Sequence, residues 1–449
     1  MNLYDISRER REAMMLFSTY FTLYSTKTKK YEKVFDLLIS HTNPRYSHEV
    51  WCVIANISRA VYLSAKSISV PKDRNVYVNN AGKVSYRRLR AVLDSLADNG
   101  YLVFHRGGSV YEQGTLYNIQ SLYEITEKMR HLFDGINISD RRNDLFNSIV
   151  IRNRATKEIM CDKYVRGVLS LKQKMDDYNY CISRARLTWK GESIPPQQYM
   201  RIFTDSLKYG GRLYNRVGGI QTMKQEDRKF LSIDGEPVVE LDFKALHPSI
   251  LYELRWQIFP NDVEDAVFIR TDPYDIEMPA LDIDQYAIDR HIKENSLEHY
   301  NPVRSLTKAA VMICLNAKSL NDAVKALVSE LRDDYEKEAA RRKYVGIPFG
   351  KSDNGLSKFP AKYVCESVQH AHAIIGDCFF ADQGINLQRV DSDIICEVLT
   401  ALTEQNISAF SEHDSIIVKE SIAAYAESLM REAYKDVVGS DRFCQIEKK

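Results

Sequence analysis

EPVVELDFKALHPSILYEL, residues 236–254, is the stretch on which the fold of this chain turns. Val238, Val239 and Leu241 predict a short apolar strand that ends at Asp242 and passes through Phe243 into a turn or helix start near Pro248. A carboxylate at the end of a buried strand is costly unless a cation partners it, and a metal ion is a natural partner. A lone strand-end aspartate is also what an ordinary turn cap looks like, so its meaning depends on two other stretches.

The first of these is NISAFSEHDSIIVKES, residues 406–421. Ile407 and Phe410, then Ile416, Ile417 and Val418, predict two short strands around Glu412-His413-Asp414-Ser415, a hairpin with a His-Asp pair at its turn. Two strand-end aspartates meeting on one sheet would suit a pair of Mg²⁺ ions, hard cations that prefer carboxylate oxygen. The other is NPVRSLTKAAVMICLNAKSL, residues 301–320, where Pro302 suits a helix start. Arg304, Lys308, Met312 and Asn316 recur every four residues on one drifting face. Arg and Lys one turn apart can grip a triphosphate, although a single RxxxK is more often a solvated basic face.

Strand-Asp, helix RxxxK and hairpin His-Asp, in this order, resemble motifs A, B and C of the polymerase superfamily that holds the family A DNA polymerases and the single-subunit, phage-type RNA polymerases. The resemblance implies that Asp242 and Asp414 are catalytic and bind two Mg²⁺ ions, with Mn²⁺ as the alternative and the backbone carbonyl of Phe243 as a further ligand. It implies that Arg304 and Lys308 hold the incoming nucleotide's phosphates, Lys308 also giving a proton to pyrophosphate. Met312 and Asn316 then face the nucleotide, and His413 the primer or template. YGGRLYN, residues 209–215, is similar to a motif ahead of motif A in the RNA polymerases and would place Arg212 and Tyr214 near the template–product duplex; Lys208 stands where that family has an aspartate. INLQRVDSDIICEVLTALTEQ (385–405) fits the palm helix before motif C. The resemblance covers about residues 205–449, a palm of antiparallel sheet with helical fingers inserted at about 255–365.

Five residues beyond Asp242, where the family senses the sugar, stands His247, large enough to exclude a ribose hydroxyl yet able to hydrogen-bond one. Asn316 and Ala317 replace the tyrosine and glycine that usually close motif B, which leads us to expect a His247–Asn316 contact. RSLTKAAVM and HDS are worded like the RNA polymerases, whereas the compact spacing between motifs A and C is like the DNA polymerases. No DxE exonuclease signature precedes the palm. The expected function is a small family A-like, DNA-dependent DNA polymerase without proofreading, of the kind a mobile element would carry. A phage-type RNA polymerase or primase is the alternative enzyme, and a DNA-binding replication initiator or regulator with a degenerate palm is the alternative of another class. DNA template and nucleoside triphosphates are the expected partners, with an RNA product or primer under the alternative.

Ahead of the palm, Leu89, Val92, Leu93 and Leu96 form one apolar helix face with Ser85 as N-cap and Arg87, Arg88 and Arg90 opposite. Asn99-Gly100 ends that helix. YLVFHR then reads as a strand carrying Arg106, Gly107-Gly108 as a turn, and SVYEQGTLYNI as a single returning strand. This pattern looks like the end of a winged helix, which implies DNA contact through those arginines. Residues 8–66 read as helical, and 136–200 as basic helices. The expected fold is therefore α+β: a winged-helix-like DNA-binding domain over 1–135, a basic helical connector or thumb-like region over 136–204, and the palm over 205–449.

The 449-residue chain is 44% apolar, with no uncharged apolar run near ~18 residues, and so no membrane span is expected. A charged opening, MNLYDISRERRE, argues against a secretory signal. Eight scattered cysteines without a CxxC pair argue for a reducing, cytoplasmic setting. Residues 1–233 hold 38 basic and 23 acidic side chains, and 234–449 hold 24 and 38, which suits a front half facing a polyanion and a rear half built on carboxylate chemistry. His370 and His372 are expected to pack or face solvent rather than bind metal, and Cys314 and Cys396 to be buried.

Overall fold

The computed structural model describes residues 3, 11, 14–21, 23, 27–71, 77, 83–112, 115–138, 148–160, 165–215, 219–260, 272–297, 300–337, 339–349 and 360–449. Helices and sheets are mixed, in keeping with the α+β class. Two hydrophobic cores divide them, one drawn from residues 21–133 and the other from 149–444 together with Leu16 and Phe17.

Around the first core lie β1 (Ser18–Tyr20), α1 (Glu32–Ser40), α2 (Ser47–Tyr62), β2 (Ser67–Val70), α3 (Tyr86–Asp98), β3 (Leu102–His105), β4 (Gly108–Glu112), β5 (Thr115–Ile119) and β6 (Ser121–Ile125). Leu89, Val92, Leu93 and Leu96 of α3 are each at most 1% exposed, as their spacing requires. The Ser85 hydroxyl does not cap the helix; its amide donates instead to buried Glu49 at 3.2 Å, tying α3 to α2. The sheet runs β1-β2-β6-β3, with β1 parallel to β2 and the other pairs antiparallel.

Two expectations change here. The helical reading of 8–66 misses β1, which is held by pairing to β2 rather than by local propensity. SVYEQGTLYNI is not one strand: β4 and β5 pair with each other, Glu112 opposite Thr115, and the strand returning to β3 is β6. Gly108 opens β4 rather than closing a turn, and Gln113-Gly114, between β4 and β5, lies outside the described residues.

The second core holds β7 (Ile149–Arg152), α4 (Val168–Ser183), β8 (Leu187–Trp189), β9 (Glu192–Ser193), β10 (Tyr199–Thr204), β11 (Ser206–Asn215), β12 (Leu231–Ile233), β13 (Glu236–Phe243) and α5 (Leu246–Ile258). They are followed by α6 (Gln285–Asn295), α7 (Pro302–Asn316), α8 (Leu320–Tyr335), α9 (Ala361–Ala371), α10 (Gly384–Glu404), β14 (Phe410–Glu412), β15 (Ser415–Lys419), α11 (Ala423–Val438) and β16 (Ile446–Lys448). The helical connector expected over 136–204 is corrected. Only α4 is a long helix among its described residues, and the β-branched run Ile149-Val150-Ile151 forms β7, parallel to β10. The boundary expected at 204 falls in the turn between paired strands β10 and β11, so no separation exists there. Parts of the expected fingers, 261–271 and 350–359, lie outside the described residues.

The larger sheet runs β14-β15-β13-β12-β8-β9, with β16 also pairing β13. Valine, leucine and phenylalanine at 239, 241 and 243 point into the core, which leaves Glu240 and Asp242 on the other face. Helix α10 packs between β11 and α11, and α7 against α8 and α9. Among the described residues no helix is long and apolar enough to cross a membrane.

Candidate active site

Strand β13 is the spine of the site. β15 runs antiparallel along one edge, placing Asp242 opposite Ser415, and β16 along the other, placing Asp242 opposite Glu447. The β14–β15 turn is made by His413 and Asp414, with His413 in the left-handed region at φ 55°. The Phe243 amide donates to the Asp414 carbonyl at 3.4 Å, so the Phe243 carbonyl also points to the β15 side. Asp242 and Asp414 are thus brought together from 172 positions apart, as the motif order leads one to expect.

The charge here is concentrated. Burial and then the neighbouring Asp414 push the Asp242 carboxyl up to about 6, against the pull of Lys449. The Lys449 ammonium touches Asp242 and lies 3.5 Å from Glu447, a cation seated between two carboxylates. Beneath them Glu412 is pushed up to about 8 by burial, with Arg228 opposing and Glu240, Asp414 and Asp242 adding to the rise. Arg228 approaches Glu240 at 3.1 Å, and the Ser415 hydroxyl donates to Glu240 at 2.9 Å. Among the described residues, no group of three or more His, Cys, Asp or Glu side chains is gathered closely enough to hold a metal ion.

Arg212 is aimed by a glycine bulge. Phe203 pairs Gly210 while Ile202 pairs Arg212, so Gly211 is the extra residue, at φ 91°. A β-carbon there would crowd Phe203, Arg201 and Ser392, which is why glycine is needed. Beyond the bulge, Arg212 forks onto buried Asp391 of α10 at 2.5 and 3.1 Å. His247 Nε2 donates to the same carboxylate at 2.8 Å. Burial works against the Arg212 charge, but Asp391 and then Asp414 outweigh it and raise its pKa. His413 is shifted the other way, lowered by desolvation and by Arg212. Tyr214, further along β11, is exposed.

Helix α7 supplies the basic stripe. Its N-cap Asn301 accepts from the Arg304 amide at 2.9 Å, and Leu306, Ala310, Val311 and Cys314 bury the opposite face. Arg304 and exposed Lys308 flank the buried Tyr274 ring at 5.7 and 5.8 Å. Arg304 is ion-paired to Asp272. The Tyr274 phenol is raised above its ordinary range by burial and then by the Asp414 charge. Met312 is half-buried and Asn316 exposed.

The expected His247–Asn316 contact is overturned. His247 is occupied by Asp391, while the Asn316 amide donates to the Met312 carbonyl at 2.7 Å and fills the space left by Gly384, which has no β-carbon. The sequence reading also missed Asp391, Asp272, Tyr274, Glu447 and Lys449. Asp391 lay within a helix already recognised, where its burial against Arg212 was the missing signal. Arg87, Arg88 and Arg106 are exposed in the first core's unit, and Arg90 is tied to Asp94 at 2.9 Å. Cys314 and Cys396 are buried, His370 is exposed and His372 is buried, as expected.

No family model matches the sequence, and no curated protein matches it either. Among solved structures the chain is similar to the POL domain of Pol1 from M. smegmatis in complex with DNA primer-template and dNTP, at 14% identity and a TM-score of 0.29. That match covers 63% of this chain, which spans about half (51%) of the other.

Proposed function

We propose that the chain is a template-directed nucleotidyltransferase, a small family A-like DNA polymerase without proofreading that works through two divalent cations. The observation that carries this reading is the meeting of Asp242, at the end of β13, with Asp414 in the β14–β15 turn, the Arg304–Lys308 stripe flanking Tyr274, whose phenol feels the Asp414 charge.

The donor set fits hard cations. It consists of carboxylate oxygens, their mutual repulsion raises Asp242, and an ammonium is already drawn into the gap beside it. Asp242, Asp414 and the Phe243 carbonyl would hold the ions, Mg²⁺ by preference and Mn²⁺ as a substitute. When bound, the ions supply charge neutralisation at the reacting phosphate and activation of a 3′-hydroxyl. Arg304 and Lys308 bind the triphosphate, and Lys308 gives its proton to the departing pyrophosphate. Arg212, fixed by Asp391, and His413 line the primer–template side, and Tyr214 lies further along the same strand.

We assign DNA binding to the front unit. A helix followed by a sheet in the order β2-β6-β3, with Arg87, Arg88 and Arg106 exposed, supports a winged helix reading duplex. The decisive assay supplies primed and unprimed DNA with labelled deoxy- or ribonucleotides and Mg²⁺. Primer extension with deoxynucleotides is expected, and unprimed ribonucleotide synthesis would move the assignment to an RNA polymerase or primase. Folded protein that makes no polymer with any nucleotide would overturn the enzyme reading and favour an initiator.

A further inference from the structure

A cavity of about 280 Å³, whose lining includes neither Asp242 nor Asp414, lies between α4, α10 and α11. Leu171 and Met175 of α4 and Leu399 of α10 form its apolar part, while Arg201, Arg389 and Asp393 supply its charge. Lys174 and Glu397, also in the lining, neutralise each other at 2.9 Å. The arginines do not balance in that way. Arg201 is 2% exposed and reaches Asp393 at 3.0 Å, and the Arg389 guanidinium leans on the same carboxylate oxygen. Two guanidiniums therefore share one acid, and both lie over the Phe203 ring, at 4.9 and 5.6 Å.

Placing two like charges in a half-closed apolar setting is unfavourable unless an anion joins them. Consistent with this, burial and then the Arg201 charge lower Arg389 to about 10. Arg389 Nε donates to the Leu207 carbonyl at 2.8 Å, and Nη1 touches the Asp393 oxygen that Arg201 also uses. Guanidinium forks match the oxygens of phosphate, which can serve two arginines at once where one carboxylate oxygen falls short. The volume is at the small end for ligand pockets, so the ligand is compact.

We propose that this cavity binds a compact phosphorylated small molecule, its phosphate against Arg389 and Arg201 and its short carbon body against Leu171, Met175 and Leu399. Neither Asp242 nor Asp414 lines this cavity, and the proposal does not depend on the polymerase reading.

The test titrates inorganic phosphate and ribose 5-phosphate onto the full chain at fixed ionic strength, read by calorimetry and thermal melting. Wild type and Asp242→Asn should bind alike. Arg389→Met, which keeps the stem and removes the charge, should weaken binding by about tenfold or more. Leu171→Trp, which keeps every charge and fills the cavity, should do the same and serves if the arginine variant does not fold. Unchanged binding in Leu171→Trp, loss of binding in Asp242→Asn, or no response of wild type to either probe would each overturn the proposal.

Discussion

Asp242 and Asp414 stand one backbone step apart across the β13–β15 ladder, Asp242 opposite Ser415 and the Phe243 amide on the Asp414 carbonyl. Two like charges so placed destabilise the metal-free fold. Asp242, raised to about 6, binds its proton more tightly in the folded chain than in the unfolded one, so stability falls as pH climbs from about 4 through 6. In chelator at pH 8, Asp242→Asn is expected to be more stable than wild type by about 1 kcal/mol while losing synthesis about a thousandfold or more. Mg²⁺ should raise the melting temperature of wild type and leave the variant unmoved. A variant less stable than wild type in chelator would contradict the repulsion.

Asp272 is ion-paired to Arg304. Burial alone would raise the Asp272 carboxyl, yet its bond to Arg304 and to the Tyr274 amide holds it below the ordinary value. Under the proposed function an incoming triphosphate competes with this carboxylate. Asp272→Asn should lower the nucleotide KM by about threefold to tenfold, and Arg304→Ala should raise it by about tenfold or more. Steady-state kinetics with varied nucleotide decides, and an unchanged KM in Asp272→Asn would show that the pair does not compete.

His372 ties helix α5, through Tyr252, to the segment that carries Asp272 and Tyr274, through Pro273. Its Nε2 donates to the Pro273 carbonyl at 3.0 Å, which leaves Nδ1 to accept from the Tyr252 hydroxyl at 3.1 Å. Burial lowers its pKa to about 4. A histidine depressed in this way stabilises the fold above its unfolded value near 6.5, and that contribution is lost as pH falls from about 6.5 to 4. Chemical denaturation across this window should show His372→Gln with a shallower loss than wild type. Parallel curves would remove His372 from the acid response.

Gly384 and Asn316 interlock at the junction of α10 and α7. A β-carbon at 384 would overlap the Asn316 amide, so Gly384→Ala should cost about 1–3 kcal/mol. Adding Asn316→Ala should recover most of that loss, a coupling that a double-mutant cycle measures directly. Equal destabilisation in the single and double variants would show the crowding to be elsewhere.

The recognisable parts of the site lie in local patterns. The apolar strand before Asp242, the hairpin around Asp414 and the four-residue period of α7 each follow from side-chain alternation or helical spacing, and each is present where that spacing put it. The failures share a cause as well. The helical reading over 136–204 misses β7 and β10, which are set by pairing across the sheet, and the single strand expected over SVYEQGTLYNI is two strands paired with each other, a register that the local pattern does not contain.

Residue order alone pointed to the side chains proposed for the chemistry, because strand and helix periods are properties of neighbours in the chain. Folding in three dimensions chose their partners. Asp391 took His247 from Asn316, Asp272 took Arg304, and β16 brought Glu447 and Lys449 beside Asp242. Such contacts join residues far apart in the chain, and their energies depend on burial and distance, quantities that a linear pattern does not contain.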